Sequence, residues 1–204
     1  MTKGSLREKV LRVREDAIVD VVNRLLAEKG FEQMTVDEIA ADVGIAKASL
    51  YKHFVSKEAL VAAVIERLLE RALEVARQLD GHVDVSALGR LRAMVRWGVK
   101  LQLAGEMPVL PLHHPSVRAE FVGARPCAEL LAQLSDLLGA WILRAQADGE
   151  VDRSLPLELT LYTLYARVAD PVPGLLKAAG PYDDAQVVEW VVQTLFAGLG
   201  TRPS

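Results

Sequence analysis

The stretch "TVDEIAADVGIAKASLYKHF", residues 35–54, decides the fold. Thr35 followed three residues later by Glu38 is a capping box, in which the hydroxyl takes a backbone amide and the carboxylate reaches back. Val36, Ile39, Ala40 and Val43 then recur on one helical face. Gly44 supplies the stop, because a helix commonly ends on a residue in the left-handed region. A further helix is expected over 46–54. At about 100° per residue Ala46, Leu50 and Phe54 fall on one line. Ala48 and Lys52 lie opposite, with Lys47 and Tyr51 on one flank and Ser49 and His53 on the other. The pattern predicts a narrow buried seam and a broad front rich in donors, with only a methyl at its centre. Two short helices joined by a tight glycine turn form a helix-turn-helix, and such a front suits close approach to a DNA groove walled by phosphates.

Working outward, Val10, Ala17, Ile18, Val21 and Leu25 mark a first helix that Gly30 closes. Phe54-Val55-Ser56 is a break, and Ser56 caps a fourth helix with Val61, Val64, Leu68, Ala72 and Val75 at helical spacing. Lys57 stands in its first turn, where the macrodipole disfavours a cation and a phosphate would relieve the conflict. From Gly81 the composition changes. Helices are expected at about 87–104, 127–147, 157–168 and 183–199, with short helical patterns before Gly123. "MPVLPLHHPSV" carries three prolines and must bend. No alternating strand pattern occurs.

The 204 residues are 51% hydrophobic and 25% charged, with a net charge of −3, so bulk charge does not point to nucleic acid. Its distribution is more informative. Residues 1–60 balance ten Lys/Arg against ten Asp/Glu, while the first fourteen hold Lys3, Arg7, Lys9, Arg12 and Arg14 against Glu8. That is a basic arm on an acidic molecule. One cysteine, Cys127, excludes a disulfide framework and a cysteine-based zinc site. The start has no apolar signal core, and the longest uncharged run, Trp190 to Thr201, is too short to span a bilayer. A cytoplasmic protein with no membrane partner is expected.

Residues 18–60 resemble the DNA-binding domain of TetR-family transcriptional regulators. The run "EKGFEQMTVDEIAADVGIAKASLYKHFVSKEAL", Glu28 to Leu60, carries the resemblance. Gly30-Phe31, the Thr35 cap, the Gly44 turn, Leu50-Tyr51, Phe54 and Ser56-Lys57-Glu58 follow the family pattern in order. The resemblance implies a homodimer on a palindromic operator in double-stranded DNA. Its phosphate contacts carry over to Thr35, Tyr51, His53 and Lys57, and its groove contacts to Lys47, Ala48 and Ser49. Lys52 stands between setting operator preference and touching phosphate.

The fold expected is all-α, with about nine helices. A helix-turn-helix DNA-binding domain would occupy 1–56, and a helical effector-binding and dimerisation domain 57–204. Two-fold symmetry places recognition helices about one DNA turn apart. In the family the last two long helices pair with their mates, which points to Leu159, Val188, Val191, Val192, Leu195 and Leu199 at a dimer interface. An effector pocket is implied by the same resemblance. Its candidates are Trp97, Leu101, His113, His114, Phe121, Trp141, Tyr162 and Tyr165, an apolar inventory suited to a hydrophobic or aromatic small molecule. His113-His114 lacks further ligands at metal-binding spacing, and no metal or cofactor is expected. No Gly-rich phosphate loop, Gly-x-Ser-x-Gly elbow or His-Glu-x-x-His motif occurs, so no enzyme is expected. The favoured function is a repressor released from its operator by such an effector. The alternatives are an activator or an effector-independent DNA-binding regulator, and after these an α-helical ligand-binding protein or enzyme.

Overall fold

Capping and burial divide the chain into helices, with no strand among the described residues. The computed structural model describes residues 6–107 and 114–199, with the side chains of 6–10, 12 and 199 outside that description. Ten helices lie within it: α1 Leu6–Gln33, α2 Val36–Val43, α3 Lys47–Leu50, α4 Lys57–Asp80, α5 Ala87–Leu103, α6 Pro115–Gly123, α7 Arg125–Ala147, α8 Leu157–Val168, α9 Val172–Ala179 and α10 Asp184–Leu199. The start of the basic arm, before residue 6, and the proline-rich bend over 108–113 lie outside the described residues, while residues 6–14 of the arm belong to α1.

The capping signals hold. Glu38 N–H donates to Thr35 Oγ1 at 3.3 Å, and Thr35 N–H donates to Glu38 Oε2 at 3.0 Å. Gly44 caps α2 at φ 75°, ψ 33°, the left-handed region that favours glycine. Ala59 N–H donates to Ser56 Oγ at 2.9 Å, closing the start of α4. Gly30, at φ 77° and ψ 174°, kinks α1, and one further helical turn follows it through Gln33.

One expectation needs correction. The helix expected over 46–54 is α-helical only from Lys47 to Leu50. Beyond it three-residue bonds, Lys52 N–H to Ser49 O and His53 N–H to Leu50 O, mix with a four-residue one from Phe54 N–H to Leu50 O. Ala46, expected in the seam, is exposed, while Leu50 is 1% exposed. The all-α expectation of about nine helices holds, and the helix it did not place is α9, whose Pro173 and Gly174 read as breakers. Pro173 falls in the first turn, where a missing N–H costs little. Asp170 Oδ1 accepts the Val172 N–H at 2.9 Å and so caps the same helix.

Backbone contacts divide the chain into two units, Met1–Arg67 with Pro108–Cys127, and Leu68–Met107 with Ala128–Ser204. The first is built on α1 packed against α2, with Ile18, Val22, Ile39, Leu50 and Val61 at 0–1% exposure. The second surrounds α5, which packs on α8, α9 and α10. Its core joins Leu91, Val95 and Val99 to Trp141, Ile142 and Val187.

Candidate nucleic-acid interface

The helix-turn-helix is positioned from below. Ile39, Ala40 and Leu50 are buried and fix α2 and α3 against the rest of the first unit. Gly44 turns the chain between them, with its N–H and that of Ile45 closing onto the last carbonyls of α2. Ala48, Tyr51 and Lys52 are left exposed, Tyr51 at 45%.

The donors expected to crowd this front are largely matched inside the protein. Lys47 Nζ donates to Asp37 Oδ2 at 2.9 Å, and this hydrogen bond raises the pKa of the ammonium above its ordinary value. His53 Nδ1 lies 3.3 Å from Glu15 Oε1, and its side chain is only 8% exposed. Thr35 spends both its N–H and its hydroxyl on Glu38. Lys57 Nζ sits 4.2 Å from the centre of the Phe31 ring, a cation–π contact that answers the conflict of a lysine in a first turn without an anion. Ser49 is half-buried. Lys52 makes no ion pair among the described residues. Glu38 is the most perturbed carboxylate of the front. Lys29 Nζ at 2.8 Å, and then the Thr35 N–H and hydroxyl, hold it down at about 2.

These pairs explain the neutral charge balance of residues 1–60. Arg24 likewise bridges Glu28 and Asp42, the latter at 2.6 Å. The sequence reading did not find Asp37, Glu15 or Phe31 as partners. The one available signal was Asp37 standing in the first turn of α2 with a lysine opening the next helix.

Residues 18–64 match the family model described as "Bacterial regulatory proteins, tetR family". That segment is a TetR-type DNA-binding domain. Over 59 residues it is 41% identical to the HTH-type transcriptional regulator EthR of Mycolicibacterium smegmatis, covering 29% of this chain and 27% of that protein. The chain spans about a quarter of the length of the first curated relatives it matches. The fold likeness reaches further. The transcriptional regulator FadR of Bacillus subtilis, solved with stearoyl-CoA, superposes at a TM-score of 0.69 with 19% identity over 90% of this chain and 98% of that one. AibR, solved with isovaleryl coenzyme A and operator DNA, gives 0.60 with 22% identity over 90% and 98%. At these identities the likeness shows the all-α TetR fold.

The other expected sites fare differently. Val188, Val191, Val192 and Leu195 are only 2–4% exposed, packed in the core of their own unit. Within the single chain these four side chains face that core. Leu159 is 52% exposed, and the side chain of Leu199 lies outside the described residues. The described pocket candidates are shared between the two units. Trp141 is a core residue whose Nε1–H donates to Asp80 Oδ1 at 2.8 Å. Trp97 and Tyr165 pack against that core, and Tyr165 shares a 2.9 Å hydrogen bond with Ser135. Leu101 is buried and Tyr162 is 65% exposed. His114 and Phe121 belong to the first unit, and His113 lies outside the described residues. His114 acts as a strut, with Nδ1 2.9 Å from Ser116 Oγ and Nε2 3.1 Å from Glu32. A cavity of about 590 Å³ opens beside it, edged by Ser56, Glu58, Ser116 and Glu120, and none of the described candidates is among its lining residues. Cys127 is buried, and burial pushes its thiol up to about 11. Among the described residues no cluster suited to a metal ion occurs, and no helix is long and apolar enough to cross a membrane.

Proposed function

We propose that the protein is a cytoplasmic, homodimeric repressor that occupies a palindromic operator and leaves it when a small apolar effector binds. The observation that carries this reading is the α2–Gly44–α3 unit, anchored by Leu50 and presenting Ala48, Tyr51 and Lys52 outward. A small centre ringed by an aromatic hydroxyl and a lysine fits the floor and wall of a major groove. The division of labour follows the chain, with DNA reading in 1–56 and effector binding and dimerisation in 57–204.

The dimer draws on α8 and α10, whose exposed apolar side chains include Leu159, Tyr162 and Trp190. The acyl thioesters bound by FadR and AibR support an effector that is at least partly hydrophobic. A hundredfold loss of operator affinity requires that the effector favour the DNA-incompetent state by about 2.7 kcal/mol.

Selection of bound sequences from random duplex DNA tests the reading, and an inverted repeat is the expected outcome. Each phosphate contact adds roughly 0.9 to the salt slope of binding. Lys52→Ala should therefore reduce that slope by about two in a dimer, weakening all sequences alike. A monomer that selects no duplex at moderate salt would refute the proposal.

A further inference from the structure

Three ion pairs bind α2 to its neighbours, and one of them differs in kind. Arg24–Asp42 and Lys29–Glu38 join α1 to α2. Lys47–Asp37 joins the first turn of α2 to the first residue of α3, the reading helix. Both partners are on the surface, with side chains 48% and 73% exposed. An acid in a first turn is favoured by the macrodipole, but that gives no reason for a lysine to reach it. A net acid beside a polyanion also opposes binding unless it has a use there.

We propose that Asp37 is a specificity-determining residue, which with Lys47 forms one donor–acceptor unit that reads a G·C pair in each half-site. This rests on the DNA-binding function proposed above. The chemistry follows from groove edges. A free lysine carries a compact charge on a flexible stem and finds the nearest phosphate whatever the sequence. Held by Asp37 at 2.9 Å, the ammonium keeps its remaining protons for an acceptor close to the carboxylate. Guanine offers O6 and N7 as acceptors, and its partner cytosine offers the N4 amino group as a donor. Guanine N7 and O6 stand side by side and take both remaining ammonium protons while the carboxylate accepts from cytosine N4, whereas adenine sets its N6 amino donor beside N7 and offers the ammonium no such adjacent pair of acceptors. The adjoining Ala48, exposed and small, keeps the approach open.

The experiment compares wild-type protein with Asp37→Ala, Asp37→Asn, Lys47→Ala and the Asp37→Ala/Lys47→Ala double variant. Each is tested on the operator selected by the wild type and on operators changed one position at a time. Helix content and thermal midpoint are recorded for every variant, and Asp37→Asn serves if Asp37→Ala does not fold. Freed from the carboxylate, Lys47 should turn to phosphate. Asp37→Ala should then steepen the salt slope by roughly 0.9 per protomer. It should also lose about tenfold of the preference for G·C at one position per half-site. In the Lys47→Ala background the same change should leave the slope where it is. If Asp37→Ala raises affinity for all sequences and keeps the preference, Asp37 is only a repelling charge and the proposal fails. It fails too if preference and slope are both unchanged. A wild type that selects no DNA sinks the functional reading itself, a result distinct from either of these.

Discussion

In the first unit the short helices α2 and α3 are bounded by named caps and turns. In the second, α5 is buried along its length among α8, α9 and α10. The first arrangement fixes a surface. Thr35, Gly44 and Ser56 set where each helix starts and stops, so the side chains between them point where the local rules send them. The second fixes a volume. Gly98 shows this most directly, since a Cβ there would stand 2.5 Å from Val168 Cγ1. Surfaces set by caps can be altered residue by residue, whereas a volume set by close packing resists any change in size.

The largest test of this contrast is truncation of one fully buried leucine in each unit. Leu50→Ala and Leu91→Ala, both at 1% exposure, should each cost about 2–5 kcal/mol in denaturant unfolding. They should separate in function. Leu50→Ala releases α3 and should abolish operator selectivity in the fraction that stays folded, while Leu91→Ala should spare it. Equal loss of selectivity in both would mean that the reading helix is not held locally. Next in size is Gly98→Ala, expected to cost roughly 1–3 kcal/mol through overpacking. Adding Val168→Ala should recover most of that loss. No recovery would show that the glycine is required for some reason other than space.

The same contrast explains what could be read from the chain alone. In the head, the signals lie within windows of three to ten residues: Thr35 to Glu38, Gly44 after Val43, Ser56 before Lys57. Such windows specify caps and turns directly, and the structure contains each of them. What they cannot specify is a partner far along the chain. Lys57 over Phe31 and His53 against Glu15 lie 26 and 38 residues apart in sequence, so a front that looks donor-rich is in fact mostly satisfied. In the second unit the apolar faces of α8 and α10 were legible as buried, but an apolar stripe does not say what buries it. Val188, Val191, Val192 and Leu195 are covered by their own chain. Trp141 likewise reads equally well as core or as pocket, because an aromatic ring at helical spacing serves both.

A cap substitution should have a smaller effect than either core change. Thr35→Ala removes the hydroxyl that accepts the Glu38 N–H and should cost about 0.5–2 kcal/mol, with Thr35→Ser restoring most of it. If Thr35→Ala weakens operator binding without lowering the unfolding midpoint, the hydroxyl belongs to the DNA rather than to the cap.

The smallest effect concerns acid. Glu38, in the first unit, is held down at about 2, chiefly by Lys29 and then by the Thr35 N–H and hydroxyl. In the second unit Arg96 lowers Glu189 in the same direction, with Nε 2.6 Å from its carboxylate. A carboxyl whose folded pKa lies below its unfolded value binds its proton more readily when unfolded. Its stabilising contribution is therefore complete above the unfolded value near 4.5 and is lost as pH falls toward about 2. Wild type should exceed Glu38→Gln in unfolding midpoint at pH 6, and the gap should close between about pH 4.5 and 2. Both pairs reach the surface, so salt should shrink the gaps. Glu38 also anchors a cap through two further hydrogen bonds that salt does not screen, whereas Glu189 depends mainly on its arginine. High salt should therefore erase the Glu189→Gln difference and leave part of the Glu38→Gln one. Equal erasure at both would mean that the head is held by charge no less than the second unit, and that the cap adds nothing to Glu38 beyond its lysine.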